Sequence, residues 1–246
     1  MLLILPPSET KRDGGTPGSA LDFSELGFAA LTPQRLAAAA ALRALSRSVE
    51  RSTAALKLGK TQRFEIDRNR ALHDSPVMAA VDRYTGVIYD ALDAESLTPP
   101  ARAFAGGHLV IGSALFGLLR SHDPIPAYRL SHDSRLPGLG LGTLWRAGVE
   151  AELRERSGLI LDLRSEAYAH LGRAPAGSFY IRVLSEGPDG RRTALSHFNK
   201  HAKGEFTRRV LDAGIAHDDA ASLIDWAREN QIHLEHGVDG ELDLVV

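Results

Sequence analysis

Leu159-Ile160-Leu161-Asp162-Leu163 is a run of five residues in which only Asp162 is polar, and its setting decides the fold class. Before it, Thr143 to Arg156 repeats apolar residues at helical spacing. After it, Ser178 to Leu184 carries the alternating and β-branched apolar residues of a strand. Working outward, strand signatures recur at His108 to Ile111 and Thr193 to Phe198, and helical ones at Asn199 to Ala213 and Asp218 to Glu229. The chain closes with Ile232 to Glu235, a turn at Asp239-Gly240, and Leu242 to Val246. Toward the other end, Leu2 to Leu5 reads as a short buried strand stopped by Pro6 and Pro7, followed by a polar loop from Ser8 to Ser19. Thr32 and Pro33 form an N-cap and first-turn pair that opens an alanine-rich helix through about Ser46. From Arg51 to Ser96 the pattern is helical but broken. Strands and helices interleave with no polar linker and no repeat, which predicts one compact domain over residues 1–246. Its class is α/β (mixed α+β), with a central mixed sheet shared by the Leu2 strand and the strands near residues 159, 178 and 193. Gly187-Pro188-Asp189-Gly190 would join the last two as a hairpin.

Composition narrows the chemistry. The 246 residues are 43% hydrophobic and 24% charged, inside the ordinary globular range, which excludes disordered, collagenous and coiled-coil classes. There is no cysteine, so thiolate nucleophiles, thiolate zinc sites and disulfide frameworks are excluded. The apolar run at Met1 to Leu5 is too short for a signal peptide, and the longest low-polarity stretch, Gly106 to Leu119, falls short of a membrane span. A cytoplasmic protein with no membrane partner is the expectation. The 29 basic residues nearly balance 31 acidic ones, but residues 100–209 hold 16 basic against 10 acidic, and residues 210–246 hold Arg228 against nine acidic. That asymmetry can localise a positive surface on a chain of net charge −2.

Lys57-Leu58-Gly59-Lys60-Thr61 ends like a phosphate-binding P-loop, yet Ala54 stands where that motif needs glycine, which rejects an NTPase. Gly138-Leu139-Gly140-Leu141-Gly142-Thr143 misses dinucleotide-binding spacing because Thr143 replaces the third glycine, and it reads as a turn before a helix. Ser121-His122-Asp123 and Ser131-His132-Asp133 place imidazoles and carboxylates ten residues apart, suitable metal-ligand types at a spacing that fits no ligand pattern. No metal and no cofactor are expected. The densest cationic segment is Arg191-Arg192, then Ser196-His197-Phe198-Asn199-Lys200-His201-Ala202-Lys203-Gly204, then Arg208-Arg209. If Asn199 caps a helix, Lys200 and Lys203 lie on one side near its positive end, a setting for phosphate or carboxylate.

Several segments resemble the YaaA-like peroxide stress response proteins in their actinobacterial style. They are Leu2-Leu3-Ile4-Leu5-Pro6-Pro7-Ser8-Glu9-Thr10-Lys11, Arg83-Tyr84-Thr85-Gly86-Val87, Ile111 to Arg120 with Pro126-Ala127-Tyr128-Arg129-Leu130, Leu163-Arg164-Ser165-Glu166-Ala167-Tyr168, and Ser196 to Gly204. Their order from residue 1 to about 209 makes the similarity one of the whole chain. The resemblance implies a single mixed α/β domain with a positively charged cleft that binds DNA, and a role in limiting peroxide damage by lowering free intracellular iron. It also implies a helix-hairpin-helix-like element, matched here by Leu56 to Gln62. Glu9 stands where many relatives carry lysine.

These motifs give the candidate site. Nucleic acid would be held through phosphates by Ser8, Lys11, Lys57, Lys60, Arg120, Tyr128, Arg129, Lys200, Lys203 and Arg208, with Lys11, Arg120, Arg129, Lys200 and Lys203 in one groove. The partner would be double- or single-stranded DNA, and no feature marks an obligate protein partner. A rival reading makes the protein an enzyme acting on a nucleobase or nucleotide, as in base excision, with Glu9, Ser165, Glu166 and Lys200 converging in one pocket.

Overall fold

The computed structural model describes residues 1–187, 191–194 and 199–246 of the chain. The turn expected at Gly187-Pro188-Asp189-Gly190 therefore lies outside the described residues from Pro188 on, as does Ser196-His197-Phe198. In chain order the strands are β1 (Leu2–Leu5), β2 (Met78–Ala79), β3 (Leu109–Ser113), β4 (Gly117–Arg120), β5 (Pro124–Ile125), β6 (Ile160–Asp162), β7 (Phe179–Glu186), β8 (Arg192–Ala194), β9 (His233–His236) and β10 (Glu241–Val245). The helices are α1 (Thr32–Ser46), α2 (Val49–Ala55), α3 (Phe64–Arg70), α4 (Ala80–Arg83), α5 (Val87–Leu92), α6 (Pro99–His108), α7 (Leu141–Arg154), α8 (Glu166–Ala169), α9 (Asn199–Ala213) and α10 (Ala220–Glu229).

The central sheet has eight strands in the order β4-β3-β1-β6-β7-β10-β9, with β8 beside β7. It is mixed: β1 runs parallel to both β3 and β6, β7 parallel to β6 and β10, while β4, β8 and β9 pair antiparallel. Every residue of β1, β3 and β6 is buried, as a strand covered on both faces requires. Helix α6 packs on β1 and β3, and α9 lies along α5 while also touching α6 and β7. Gly204 makes that approach possible, because a Cβ there would come within 2.3 Å of the Ile88 carbonyl oxygen. Among the described residues no helix is long and apolar enough to cross a membrane.

Two readings need adjustment. Thr32 sits inside α1 rather than capping it, because a 3-10 turn over Ala29–Leu31 runs straight into the helix and makes Leu31 the N-cap residue. The strand expected at His108 to Ile111 is Leu109–Ser113, with His108 ending α6, and the rest of the stretch to Leu119 is a turn and β4. Gly117 makes the last step with φ of 73°, where the Trp145 ring leaves no room for a Cβ.

The connections from β1 and β6 diverge. The chain leaving β1 returns to the sheet as β3 on one side, whereas the chain leaving β6 goes to β7 on the other. Neighbouring parallel strands whose connections part in this way leave a crevice at their carboxyl ends, the usual place for a ligand in an open α/β sheet.

Candidate functional site

A cavity of about 820 Å³ opens at that crevice, within the range of small-molecule sites. The segment after β1 contributes Pro6 to Thr10, the segment after β6 contributes Leu163 and Ser165 to Tyr168, and Thr85 to Tyr89 supply a third wall. Asn199, Lys200 and Lys203 from the first turn of α9, with His132 and Tyr180, complete it.

The walls are held by buried polar groups. Arg83 is fully buried and ties four carbonyls: its Nε donates to Ile125 O at 3.1 Å, and its Nη atoms to Arg12 O, Gly14 O and Pro76 O at 2.6, 3.0 and 2.9 Å. Backbone pairing then joins Thr10 to Thr85 and Arg12 to Arg83. Gly86 takes φ of 97°, where glycine is favoured, beside the Ser8 and Thr10 hydroxyls. Tyr89 OH donates to Pro6 O at 2.8 Å. Much of the Arg83 to Val87 motif is thus scaffolding for the loop that carries Ser8 and Glu9. Behind β6, Arg164 Nε and Nη2 donate to the two oxygens of Asp162 at 2.8 and 2.6 Å, a buried two-point pair.

Lys11 lies under this loop instead of in the cavity. Its Nζ donates to Ser8 O at 2.9 Å and Glu9 O at 3.3 Å, and sits 4.1 Å from the centre of the Tyr128 ring. Burial lowers its pKa to about 7, outweighing the pull of Glu65 and Glu9. Tyr128 is fully buried, its hydroxyl bonded to Tyr84 OH at 2.7 Å and Ser113 Oγ at 2.8 Å. Arg129 is buried as well, and its guanidinium pairs with the half-exposed carboxylate of Glu9. On the opposite wall Lys203 is 3% exposed, donates from Nζ to Leu163 O at 3.1 Å, and lies 4.8 Å from the centre of the Tyr180 ring. Burial lowers its pKa to about 8 against the pull of Asp162. Lys200, one turn earlier, is exposed.

The structure brings Glu9, Ser165, Glu166 and Lys200 to one cavity, together with Ser8 and Lys203. It does not gather the five cations of the expected groove on one surface. Lys11 and Arg129 are buried behind Glu9, and Arg120, at the end of β4, lies against Gly27. Arg208 is an anchor, donating to Leu92 O, Asp93 O and Ser96 Oγ at 3.2, 3.1 and 2.7 Å and pairing with Asp212. In the Leu56 to Gln62 segment, Lys57 pairs with Asp133 at 2.5 Å, Lys60 is exposed, and the Gly59 N–H is taken by Gln62 Oε1 at 2.9 Å. Arg192 pairs with Glu186 and Glu235.

Asp123 accepts N–H groups of Gly27 and Arg120, while the His132 ring meets Tyr168 edge-on at 5.0 Å between centroids. Two wall residues had no sequence signal for this site: Tyr180 and, in a non-metal role, His132. Tyr180 looks like any strand aromatic, and only the register that sets it opposite Asp162 brings it to the cavity.

A profile of the family described as "Peroxide stress protein YaaA" matches residues 1–230. A UPF0246 protein of Corynebacterium glutamicum (strain R) is 45% identical over 213 residues, 85% of this chain and 84% of its own. Another from Corynebacterium efficiens is 41% identical with the whole of both chains covered, and one from Streptomyces coelicolor is 39% identical over 93% of this chain and 90% of its own.

Proposed function

The chain belongs to the YaaA family of peroxide stress proteins, and from that premise we propose that it acts in the cytoplasm by binding DNA, receiving one unstacked nucleotide in the cavity beyond β1 and β6. The observation that carries the reading is the pairing of two lysines, Lys200 and Lys203, with a nucleotide-sized hollow walled by Tyr168, Tyr180 and His132. Cationic side chains take phosphate, and aromatic faces take a base without reading sequence. Iron is not handled by the protein itself in this account. Protection is exerted on nucleic acid.

Binding through the phosphate contact at Lys200 gives an affinity that falls with salt, with a log–log slope of about −1 on duplex DNA. Fluorescence anisotropy at several salt concentrations measures it. Lys200→Gln should weaken binding and flatten the slope by about one. A slope unchanged in that variant, or no binding to single- or double-stranded DNA at low salt, would contradict the proposal.

A second reading makes the same cavity catalytic, with Glu9 or Glu166 as proton acceptor on a nucleobase or nucleotide. It draws on the carboxylates sharing the wall with Ser165 and Lys200. Release of a free base from DNA by the wild type and not by Glu9→Gln would favour it.

A further inference from the structure

Only five of the 29 basic residues in this chain are lysines, and two of them, Lys200 and Lys203, line one cavity while Lys11 sits beneath the loop that walls it. Elsewhere arginine does the structural work, as Arg35, Arg83 and Arg164 show, each fully buried and donating to carbonyls or a carboxylate. Lysine differs from arginine in one chemical respect: its amine loses a proton when desolvated and then carries a nucleophilic lone pair.

Lys203 is the lysine placed to use this. It is 3% exposed yet lines the cavity, where Lys11 is walled off behind Tyr128 and Lys200 stands in solvent. Among the described residues its Nζ makes one hydrogen bond, to Leu163 O, beside the Tyr180 ring, and no carboxylate lies within ion-pair distance. Lys11, the other buried lysine, donates to two carbonyls and faces no cavity, whereas among the described residues two Lys203 donors remain unspent beside one. The backbone that carries Lys203 is fixed by packing, because Gly204 is pressed against Ile88 and the Thr207 hydroxyl donates to Lys203 O at 2.8 Å. The lowered pKa of about 8 leaves a neutral fraction near physiological pH.

We propose that Lys203 is an amine nucleophile that forms an imine with the aldehyde of a phosphorylated deoxyribose seated in the cavity, its phosphate on Lys200. The chemistry is balanced without a further reagent. The neutral Nζ adds to the aldehyde carbon and forms the C–N bond. One amine proton passes to the former carbonyl oxygen, and the second leaves with that hydroxyl as water, giving a C=N bond between the lysine and C1′. Water reverses the step and returns the free amine. The aldehyde has two sources, an abasic site within DNA or a free sugar phosphate. Where it comes from DNA the inference rests on the nucleic-acid reading above.

The test is reductive trapping with sodium cyanoborohydride of the full-length protein. One arm uses a duplex with a single aldehydic abasic site, one a duplex with a tetrahydrofuran analogue that has no aldehyde, and one free 2-deoxyribose 5-phosphate. Peptide mass mapping locates any adduct. The expected result is one adduct per chain, on Lys203, from an aldehydic substrate and none from the tetrahydrofuran duplex. Lys203→Met and Lys203→Arg should abolish it and Lys57→Gln should not. Mapping on the wild type keeps the test valid if a Lys203 variant misfolds. Adducts spread over the other lysines or the N-terminus, or absent despite binding of the tetrahydrofuran duplex, would overturn the inference while leaving DNA binding intact. Trapping of the free sugar phosphate alone, with no DNA bound, would uphold Lys203 and refute the DNA reading.

Discussion

Lys11 shows how a residue that reads as a phosphate contact becomes part of the frame. Its amine holds two successive carbonyls of the Ser8–Glu9 loop and is shielded from water, which lowers its pKa to about 7. The unfolded chain keeps the proton up to about 10.5, so between these values the unfolded state binds more protons and stability rises with pH. The slope from this one group is at most about 1.4 kcal/mol per pH unit. Urea unfolding at pH 7.5 and 9 should therefore show the wild type gaining on Lys11→Met at the higher pH, and an unchanged difference would contradict the burial argument. Lys203 adds a similar rise beginning near pH 8.

Arg164 supports a second residue-level prediction. Removing its guanidinium as Arg164→Met leaves Asp162 buried and unpaired, a loss of about 3–5 kcal/mol. The double change Asp162→Leu, Arg164→Met should recover part of it in urea denaturation, and equal losses in single and double variants would refute the pairing argument. The sequence made such charged residues visible but not their direction. Lys11, Tyr128 and Arg129 sit beside the site in the chain's motifs, yet their side chains turn inward, and no local pattern distinguishes a charge aimed at solvent from one aimed at carbonyls.

At the scale of elements, α1 and α9 were legible to within a residue because alanine-rich and amphipathic periods run unbroken through them. The β3–β4 hairpin was not, since a strand buried on both faces has no period, and the apolar residues of α6, β3 and β4 merge into one stretch. β2 and β5, two residues each, carry no pattern at all. The seat of α9 on α5 gives the prediction for this scale. Gly204→Val places methyl groups where a Cβ already meets Ile88 O at 2.3 Å and Ala91 Cβ at 2.7 Å. Overpacking of this kind costs about 1–3 kcal/mol and should tilt α9, so the variant loses both melting temperature and DNA affinity. Unaltered stability would mean the two helices do not approach this closely.

For the molecule as a whole, the mixed class and the strands that share the sheet follow from the interleaving of elements, but the sheet order does not. It is that order, with β1 and β6 adjacent and their connections diverging, that brings residues 6–10, 85–89, 163–168 and 199–203 around one hollow. The expected cationic groove came from the family resemblance and the motifs that carry it, and folding spends several of those charges on carboxylates and carbonyls. What remains facing the hollow is a smaller and more selective set. Photo-crosslinking tests this account most directly: a duplex with one mispaired 5-iodouracil is irradiated with the protein and the joined peptide is identified. The account predicts attachment at Tyr168 or Tyr180, diminished in Lys200→Gln. Attachment instead at residues 57–62, indifferent to Lys200, would place the DNA on that segment and contradict the cavity as its site.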